Sequence, residues 1–112
     1  MPKTLGEFEQ LILFALLDLR DDQAYGVSVR RSIEVRTGRV LSSGAVYTAL
    51  DRLEAHGLVS SWIGKPTSER GGRRKRLFRL EPAGREALQE AVRTFEHMSA
   101  GLLPLLGPRE NS

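Results

Sequence analysis

The stretch GAVYTALDRLEAHGLV, residues 44–59, restricts the fold more than any other part of the chain. Its apolar residues Val46, Leu50 and Leu53 recur at intervals of three and four, which predicts an amphipathic helix with one buried stripe. Gly57 ends this helix, because glycine readily adopts the left-handed backbone of a helix C-terminus. The sequence therefore predicts a short helix over residues 43–56 that packs one face against a core.

Two further amphipathic segments precede this helix. Residues 5–19 carry apolar side chains at helical spacing, and a second periodic segment runs from Tyr25-Gly26 to Thr37-Gly38. Gly38 is well placed as the C-terminal cap of the second helix. The apolar positions are Leu5, Phe8, Leu11, Ile12, Ala15, Leu16 and Leu19 in the first segment, and Val27, Val29, Ile33 and Val35 in the second.

The pattern after Gly57 changes from helix to strand. Residues 59–64 and 77–80 are short and rich in aromatic or β-branched side chains, which is typical of strands. The connection KPTSERGGRRKR, residues 65–76, contains Pro66 and Gly71-Gly72 as turn formers. We therefore expect a β-hairpin with a long loop, and long loops are often functional.

A fourth helix follows Pro82 and fades by Pro104. The order helix, helix, helix, hairpin, helix predicts a mainly α-helical protein with a small β-hairpin, the architecture of a winged helix-turn-helix domain with an added C-terminal helix. We expect the winged domain over residues 1–81, the C-terminal helix over residues 82–106 and a flexible tail over residues 107–112. The apolar face of the fourth helix consists of Leu88, Ala91, Val92, Phe95, Met98 and Leu102.

The composition is that of one soluble domain: 112 residues, of which 40% are hydrophobic and 28% charged. The absence of cysteine excludes a disulfide framework and a thiolate metal site. The apolar run over residues 11–17 is far shorter than the roughly 20 residues that span a bilayer, and the first residues lack a signal-peptide pattern. We therefore expect a cytoplasmic protein without a membrane partner.

Positive charge is concentrated in one segment. Residues 65–79 contain seven basic side chains and one acidic side chain, Glu69, so this segment carries +6. Because the whole chain carries +3, the remaining residues carry −3. Such a patch on a slightly acidic body is typical of a protein that binds a polyanion. The alternative is a solvated, disordered run of charges.

The helix over residues 43–56 has an outward face suited to DNA. In helix-turn-helix proteins the last helix of the motif enters the major groove with its N-terminal end. Ser42 and Ser43 can donate hydroxyl hydrogen bonds to phosphates beside the anion-attracting amides of the helix start. Gly44 has no side chain and allows the backbone to approach the duplex closely.

Further along the same face, Tyr47 can donate to a phosphate, Thr48 can touch a base edge or a thymine methyl, and Arg52 can reach phosphate or guanine. Each residue also has a purely structural interpretation. Tyr47 can be a half-buried core aromatic, the two serines a helix cap, and Arg52 an ion-pair partner of Glu54 or Asp51. The basic hairpin that follows favours the DNA interpretation.

The hairpin loop and second strand supply the other candidate contacts. Their cations are too dense to be paired locally, since only Glu69 is near, and phosphate contacts release counterions. Such contacts position a protein on DNA and specify sequence weakly. Arg79 lies within the strand and either packs or pairs with Glu81. The candidate DNA-binding residues are therefore Ser42, Ser43, Gly44, Tyr47, Thr48, Arg52, Lys65, Arg73, Arg74, Lys75 and Arg76.

These segments together resemble the PadR-like transcriptional regulators. The Tyr25-Gly26 pair, the Gly-x-Val-Tyr of residues 44–47 and the long Arg-Gly-Gly-Arg wing are specific in combination, although none is specific alone. The resemblance is carried by LGEFEQLILFALL (5–17), AYGVSVRRSIEVRTG (24–38), LSSGAVYTALDRLEAHGLV (41–59) and PTSERGGRRKRLFRLEPAGREAL (66–88), about four-fifths of the chain.

The resemblance implies a winged helix-turn-helix fold, a homodimer and usually repression of nearby genes. It also implies that small aromatic or hydrophobic effectors relieve repression in some members. In the family, the helix matching residues 43–56 reads the major groove, and the positions matching Tyr47, Lys65 and the basic wing residues touch DNA. The helix matching residues 83–103 builds the dimer interface together with helix one.

Two departures from the family pattern matter. Glu81 stands where a threonine commonly precedes the proline, so we expect the fourth helix to be poorly capped. The C-terminal region is also short, which argues against a roomy effector domain.

Dimerisation has support from the residues themselves. Once the three-helix core is filled, the fourth helix has little of its own domain left to cover, so its apolar face can pack on a twofold mate. The alternative is that it folds back onto helix one of its own chain. A twofold dimer predicts a pseudo-palindromic operator with half-sites about one helical turn apart. The candidate interface residues are Leu5, Phe8, Leu88, Val92, Phe95 and Leu102.

The sequence contains no group of residues that indicates a catalytic site or a cofactor site. His56 and His97 have no partner at metal-ligand spacing, and no nucleophile–base pair stands out. We therefore expect neither an enzyme nor a resident cofactor. Trp62 is either a strand-packing residue or a ring that faces a ligand, and Phe8, Phe14 and Phe95 either border a dimer cavity or pack in the core.

Two other classes of function compete with a double-stranded DNA operator as partner. The first is a winged-helix interaction module that applies its charged hairpin to an acidic protein. The second is RNA or ribosome binding by the same basic patch. Strong salt dependence fits both nucleic-acid readings, and only sequence-specific competition by duplex DNA selects the regulator.

Overall fold

A computed structural model of the protein describes residues 4–20, 23–65 and 74–108. The predicted order of elements and the mainly helical fold with a small hairpin are confirmed. The elements are α1 (Glu7–Leu19), α2 (Gly26–Thr37), α3 (Ser43–Ala55), β1 (Val59–Ile63), β2 (Arg76–Leu80), α4 (Pro82–Ser99) and a short 3₁₀ helix (Leu103–Leu106).

The helix ends follow local rules that the sequence already displays. Gly38, the residue after α2, has a φ of +75°, and its N–H donates to the Glu34 carbonyl. Ser42 caps α3, because its Oγ accepts a hydrogen bond of 3.1 Å from the Ala45 N–H. Gly57 also has a φ of +75° and turns the chain from α3 into β1. Both predicted glycine stops are therefore confirmed.

The first three helices pack around one apolar core. The predicted stripe of α3 is confirmed, since Val46, Leu50 and Leu53 are fully buried. The predicted face of α2 is partly wrong: Val35 is 79% exposed and Val27 is 39% exposed. At 100° per residue both point away from the face that carries the buried residues of α2. The largest fully buried side chains are Ile12, Leu13, Val29, Val46, Leu50, Leu53 and Phe78.

The hairpin is joined to the helical core through β2. Strands β1 and β2 are antiparallel, with Val59 opposite Leu80 and Ile63 opposite Arg76. Phe78 in the middle of β2 is fully buried, and its N–H donates to the Ala24 carbonyl at 2.8 Å. The base of the hairpin is therefore fixed to the segment that leads into α2.

Helix α4 begins against the hairpin and then leaves the core. The Glu81 carboxylate accepts a hydrogen bond of 2.8 Å from the Ser60 Oγ and makes no side-chain cap for α4, as expected. Leu88 is buried, whereas Phe95 and Met98 further along the helix are 63% and 71% exposed. No helix in the described ranges has the length and apolar character needed to cross a membrane.

Gly84 provides a direct test of how α4 packs. A Cβ at this position would lie 2.1 Å from the Leu58 carbonyl oxygen, which also accepts the Glu81 N–H at 3.0 Å. Because that backbone cannot move aside without losing the hydrogen bond, we expect Gly84→Ala to lower the free energy of unfolding by about 2–3 kcal/mol. Urea unfolding followed by circular dichroism measures this loss.

Gly44→Ala is the matched control. A Cβ at Gly44 meets nothing within 4 Å, and alanine is a better helix former than glycine by up to about 1 kcal/mol. We therefore expect this variant to be as stable as the wild type or slightly more stable. Equal stabilities of the two variants would contradict the close approach of α4 to Leu58.

Candidate nucleic-acid interface

The N-terminal half of α3 presents an exposed polar face. Ser43, Gly44 and Thr48 lie exposed on it, and Arg52 is exposed in the last turn of the helix. Gly44 has open space around its Cα, so another molecule can approach the backbone there. Ser42 is the cap described above, which is the structural interpretation that the sequence left open.

Tyr47 packs across the start of α2 while keeping 36% of its surface exposed. A Cβ on Gly26 would lie 2.2 Å from both Cζ and Oη of Tyr47, so the glycine makes room for the ring. The sequence displayed both members as separate signals, a Tyr-Gly pair and a Gly-x-Val-Tyr. Their contact was not predicted.

The basic end of β2 is tied to α3. The Arg76 Nη1 lies 2.9 Å from Asp51 Oδ1, and its Nη2 lies 2.6 Å from Glu54 Oε1. Its Nε donates to the Ser61 Oγ at 3.3 Å, and that hydroxyl donates to Glu54 Oε2 at 2.7 Å. The expectation that the wing cations have no local partner except Glu69 is therefore wrong for Arg76. Asp51 and Glu54, considered as partners of Arg52, bind Arg76 instead.

Glu54 and Arg76, in the cluster formed by Asp51, Glu54, Ser61 and Arg76, each stabilise the charged form of the other. The hydrogen bond from Ser61 lowers the pKa of Glu54, burial opposes that shift, and Arg76 adds to the lowering. Burial alone would lower the pKa of Arg76, but the hydrogen bonds to Asp51 and Glu54 outweigh it and raise that pKa. Both shifts favour the charged forms of Glu54 and Arg76.

Lys75 continues this surface towards α2. Its Nζ lies 4.1 Å from the centre of the Tyr25 ring, a cation–π contact. The Lys75 carbonyl accepts the Gly64 N–H at 2.8 Å and so closes the described part of the hairpin. Lys65 and Arg74 are exposed beside it. The rest of the predicted loop, residues 66–73 with Glu69, Gly71-Gly72 and Arg73, lies outside the described residues.

The far end of β2 carries a second aromatic–cation pair. The Arg79 guanidinium lies 4.9 Å from the centre of the Trp62 ring. Trp62 therefore packs against a side chain of the neighbouring strand, the first of its two alternatives, and the Glu81 carboxylate accepts a hydrogen bond from the Ser60 hydroxyl.

The description "Transcriptional regulator PadR-like family" belongs to a family model that matches residues 14–90, more than half of the chain. The chain belongs to the PadR-like family of transcriptional regulators. The resemblance inferred from the residues is confirmed.

Two curated relatives are similar to this PadR-like chain. The transcriptional regulator Rv3488 of Mycobacterium tuberculosis is 35% identical over 85 residues, which cover 74% of this chain and 73% of that protein. An uncharacterized 37.1 kDa protein in transposon TN4556 of Streptomyces fradiae is 35% identical over 100 residues. That match covers 89% of this chain but spans only 27% of the relative's length.

Solved structures show the same fold. A PadR family transcription regulator from Clostridium difficile superposes with a TM-score of 0.74 at 24% identity, over 91% of this chain and 100% of that one. A PadR-like transcriptional regulator from Bacillus cereus gives a TM-score of 0.72 at 20% identity, over 91% of this chain and 93% of that one.

The residues predicted for a dimer interface separate into two groups in this PadR-like fold. Leu5 and Leu88 fill the chain's own core and offer little surface to a mate. Phe8 and Val92 are half-buried, whereas Phe95 and Leu102 are exposed. The own-chain alternative therefore describes the first half of α4, and the second half stays uncovered. The exposed large apolar residues of this end are Phe95, Met98, Leu102, Leu103, Leu105 and Leu106.

Metal ligands do not cluster in the part of the chain that the structure describes. No group of three or more His, Asp or Glu side chains there is arranged to hold a metal ion. His56 stands at the C-terminal cap of α3, and His97 is exposed in the last turns of α4.

The lowered pKa of Glu54 predicts a pH-dependent stability. A carboxyl whose pKa falls on folding stabilises the protein above its ordinary value of 4.5, and this stabilisation is lost as the pH drops through the folded value. We expect Glu54→Gln to lower the free energy of unfolding by about 1 kcal/mol or less at neutral pH, since the pair is partly screened by solvent. The difference from wild type should vanish in acid.

Urea unfolding at a series of pH values measures this difference, with Glu96→Gln on the exposed face of α4 as control. Parallel profiles of wild type and Glu54→Gln at every pH would contradict the cluster's contribution.

Proposed function

We propose that this PadR-like protein is a sequence-specific DNA-binding regulator that acts as a homodimer and represses transcription from a pseudo-palindromic operator. One observation carries the proposal: the exposed N-terminal half of α3 and the cationic base of the wing belong to one surface. Lys75 contacts Tyr25, and the adjacent Gly26 contacts Tyr47 of α3. A DNA partner implies action where the chromosome is, so a cytoplasmic location is part of the proposal.

In this proposal α3 supplies the contacts that read sequence. The start of the helix attracts phosphate through its amides, and Ser43 adds a hydroxyl donor. Gly44 lets the helix lie deep in the major groove, where Thr48 and Arg52 face base edges. Tyr47 reaches a phosphate with its hydroxyl while its ring stays on Gly26.

The wing supplies the contacts that position the protein. Lys65, Arg74 and Lys75 are exposed cations, and Arg73 adjoins them in the sequence. Each phosphate that they neutralise releases counterions from the duplex, so the affinity falls with salt.

Removing two wing cations should weaken binding in a recognisable way. We expect Arg74→Ala/Lys75→Ala to bind all duplexes less tightly and to reduce the slope of log affinity against log salt by about 0.9 per lost contact. Fluorescence-anisotropy titration against the upstream DNA of the protein's own gene and a scrambled duplex, over a salt series, measures both quantities.

Arg85→Ala/Arg93→Ala is the matched control, because it removes the same net charge from exposed positions of α4. We expect the control to keep most of the wild-type slope. Equal losses in the two double variants would show that net charge matters and the wing does not. If the wild type prefers no duplex, even among genomic fragments offered in a selection, an acidic protein partner becomes the better explanation of the patch.

The dimer part of the proposal is supported by the uncovered end of α4. Phe95 and Met98 are followed by the apolar 3₁₀ helix, whose Leu105 and Leu106 are 81% and 82% exposed. A concentration of exposed apolar side chains of this kind is typical of an interaction site. A cleft of about 930 Å³ between the start of α1 and the first half of α4, lined in part by Leu5, Leu58, Ala87 and Ala91, adjoins it.

Acidic substitutions on this surface should dissociate the proposed dimer. We expect Phe95→Glu/Met98→Glu to halve the molecular mass measured by sedimentation equilibrium, because two buried carboxylates per chain cost more than the apolar contact gains. Val35→Glu/Val40→Glu, at positions outside α4 that are 79% and 94% exposed, is the control. A wild type that sediments as a monomer, or a Phe95→Glu/Met98→Glu variant that remains a dimer, would contradict this assignment.

A small hydrophobic effector completes the proposal. An apolar molecule bound between the two mates changes the distance between their α3 helices. Operator affinity depends on that distance, because half-sites lie about one helical turn apart.

A further inference from the structure

We propose that Arg76 is a positioning residue that sets operator specificity by holding the wing at a fixed place beside α3, rather than a residue that contacts DNA. This inference rests on the DNA-binding function proposed above. It concerns a wing cation whose side chain turns inward, towards acidic partners.

All three nitrogens of the Arg76 guanidinium group have a partner. Nη1 meets Asp51 at 2.9 Å, Nη2 meets Glu54 at 2.6 Å, and Nε donates to Ser61 at 3.3 Å. The group also lies 4.8 Å from the centre of the Phe78 ring. A planar fork held by two carboxylates, a hydroxyl and a ring has one orientation, which a lysine ammonium cannot reproduce.

This cluster joins the two parts of the proposed interface. Asp51 and Glu54 belong to α3, and Ser61 and Arg76 belong to the two strands of the wing. Asp51 directly precedes Arg52 on the reading face, and Arg76 directly follows Lys75 of the phosphate contacts. A change at Arg76 therefore alters the distance between the groups that touch bases and the groups that touch phosphates.

Release of Arg76 to the DNA backbone is disfavoured by what it leaves behind. Asp51 and Glu54 would then stand unpaired beside phosphates, and like charges at close range repel. With Arg76 in place, the two carboxylates are neutralised and the wing is fixed. A phosphate contact needs only a positive charge, whereas a positioning role needs the planar guanidinium group. Substitution of Arg76 by lysine therefore distinguishes the two roles.

The experiment compares Arg76→Gln, Arg76→Lys, Glu54→Gln and the double variant Arg76→Gln/Glu54→Gln with wild type. Each is titrated by fluorescence anisotropy against a genomic fragment that wild type selects and against a scrambled duplex, over a salt series. The readouts are the specificity ratio, which is the affinity for the fragment over that for the scramble, and the salt slope. Partial unfolding of a variant lowers its apparent affinity for both duplexes by the same factor and leaves the specificity ratio unchanged.

A positioning role predicts that Arg76→Gln lowers the specificity ratio about tenfold, as a lost or misplaced base contact does, with a salt slope close to that of wild type. Glu54→Gln lowers the ratio as well, the double variant is no worse than the single ones because they share one cluster, and Arg76→Lys does not restore the ratio.

The opposite pattern would overturn the inference. A phosphate contact by Arg76 would give a slope reduced by about 0.9 and equal losses on both duplexes, with full recovery in Arg76→Lys and an unchanged ratio in Glu54→Gln. Failure of wild type to select any fragment is a different result: it refutes the proposed function and, with it, a specificity role for Arg76.

Discussion

The burial of Phe78 is the constraint on which the proposed DNA interface of this protein depends. Its side chain fills the core between the helices, and its N–H binds the Ala24 carbonyl. Side chains alternate between the two faces of a strand, so Arg76, two residues earlier, lies on the same face as Phe78. Anchoring one aromatic ring in the core therefore brings the guanidinium of Arg76 to α3. Lys75, one residue further back, contacts Tyr25 at the start of α2.

The proposed roles of the wing cations consequently differ, although the sequence presents these cations as one run. Lys75 rests on an aromatic ring and keeps its ammonium at the surface, where a point charge suits a phosphate. Arg76 is held by the carboxylates of Asp51 and Glu54, which would otherwise weaken the attraction of α3 for DNA. Net charge describes the first role well and the second role not at all.

The sequence predicted what depends on neighbours along the chain. The stripe of α3, the glycine stops at Gly38 and Gly57 and the order of elements follow from spacing and local backbone preference, and all were right. Val27 and Val35 were misassigned because a loose periodicity admitted residues that lie away from the buried face of α2. The poor cap at Glu81 was predicted, but its hydrogen bond to Ser60 was not.

Contacts between distant segments could not be predicted, because they depend on how elements register in space. Nothing local indicates that Arg76 meets Glu54, or that the hydroxyl end of Tyr47 lies over Gly26. The sequence likewise does not indicate that position 84 requires a glycine. That requirement follows from the fold, which places the Leu58 carbonyl against this residue. These pairings distinguish the surroundings of the candidate residues from one another, and they require the fold.

The most direct test is a crystal structure of the protein bound to a duplex recovered by selection from its own genome. We predict that the N-terminal end of α3 lies in the major groove, that Lys75 contacts phosphates, and that Arg76 still binds Asp51 and Glu54. A complex in which α3 faces away from the duplex would contradict the assignment of the interface. A complex in which Arg76 has left its carboxylates for a phosphate would contradict the separation of reading and positioning roles.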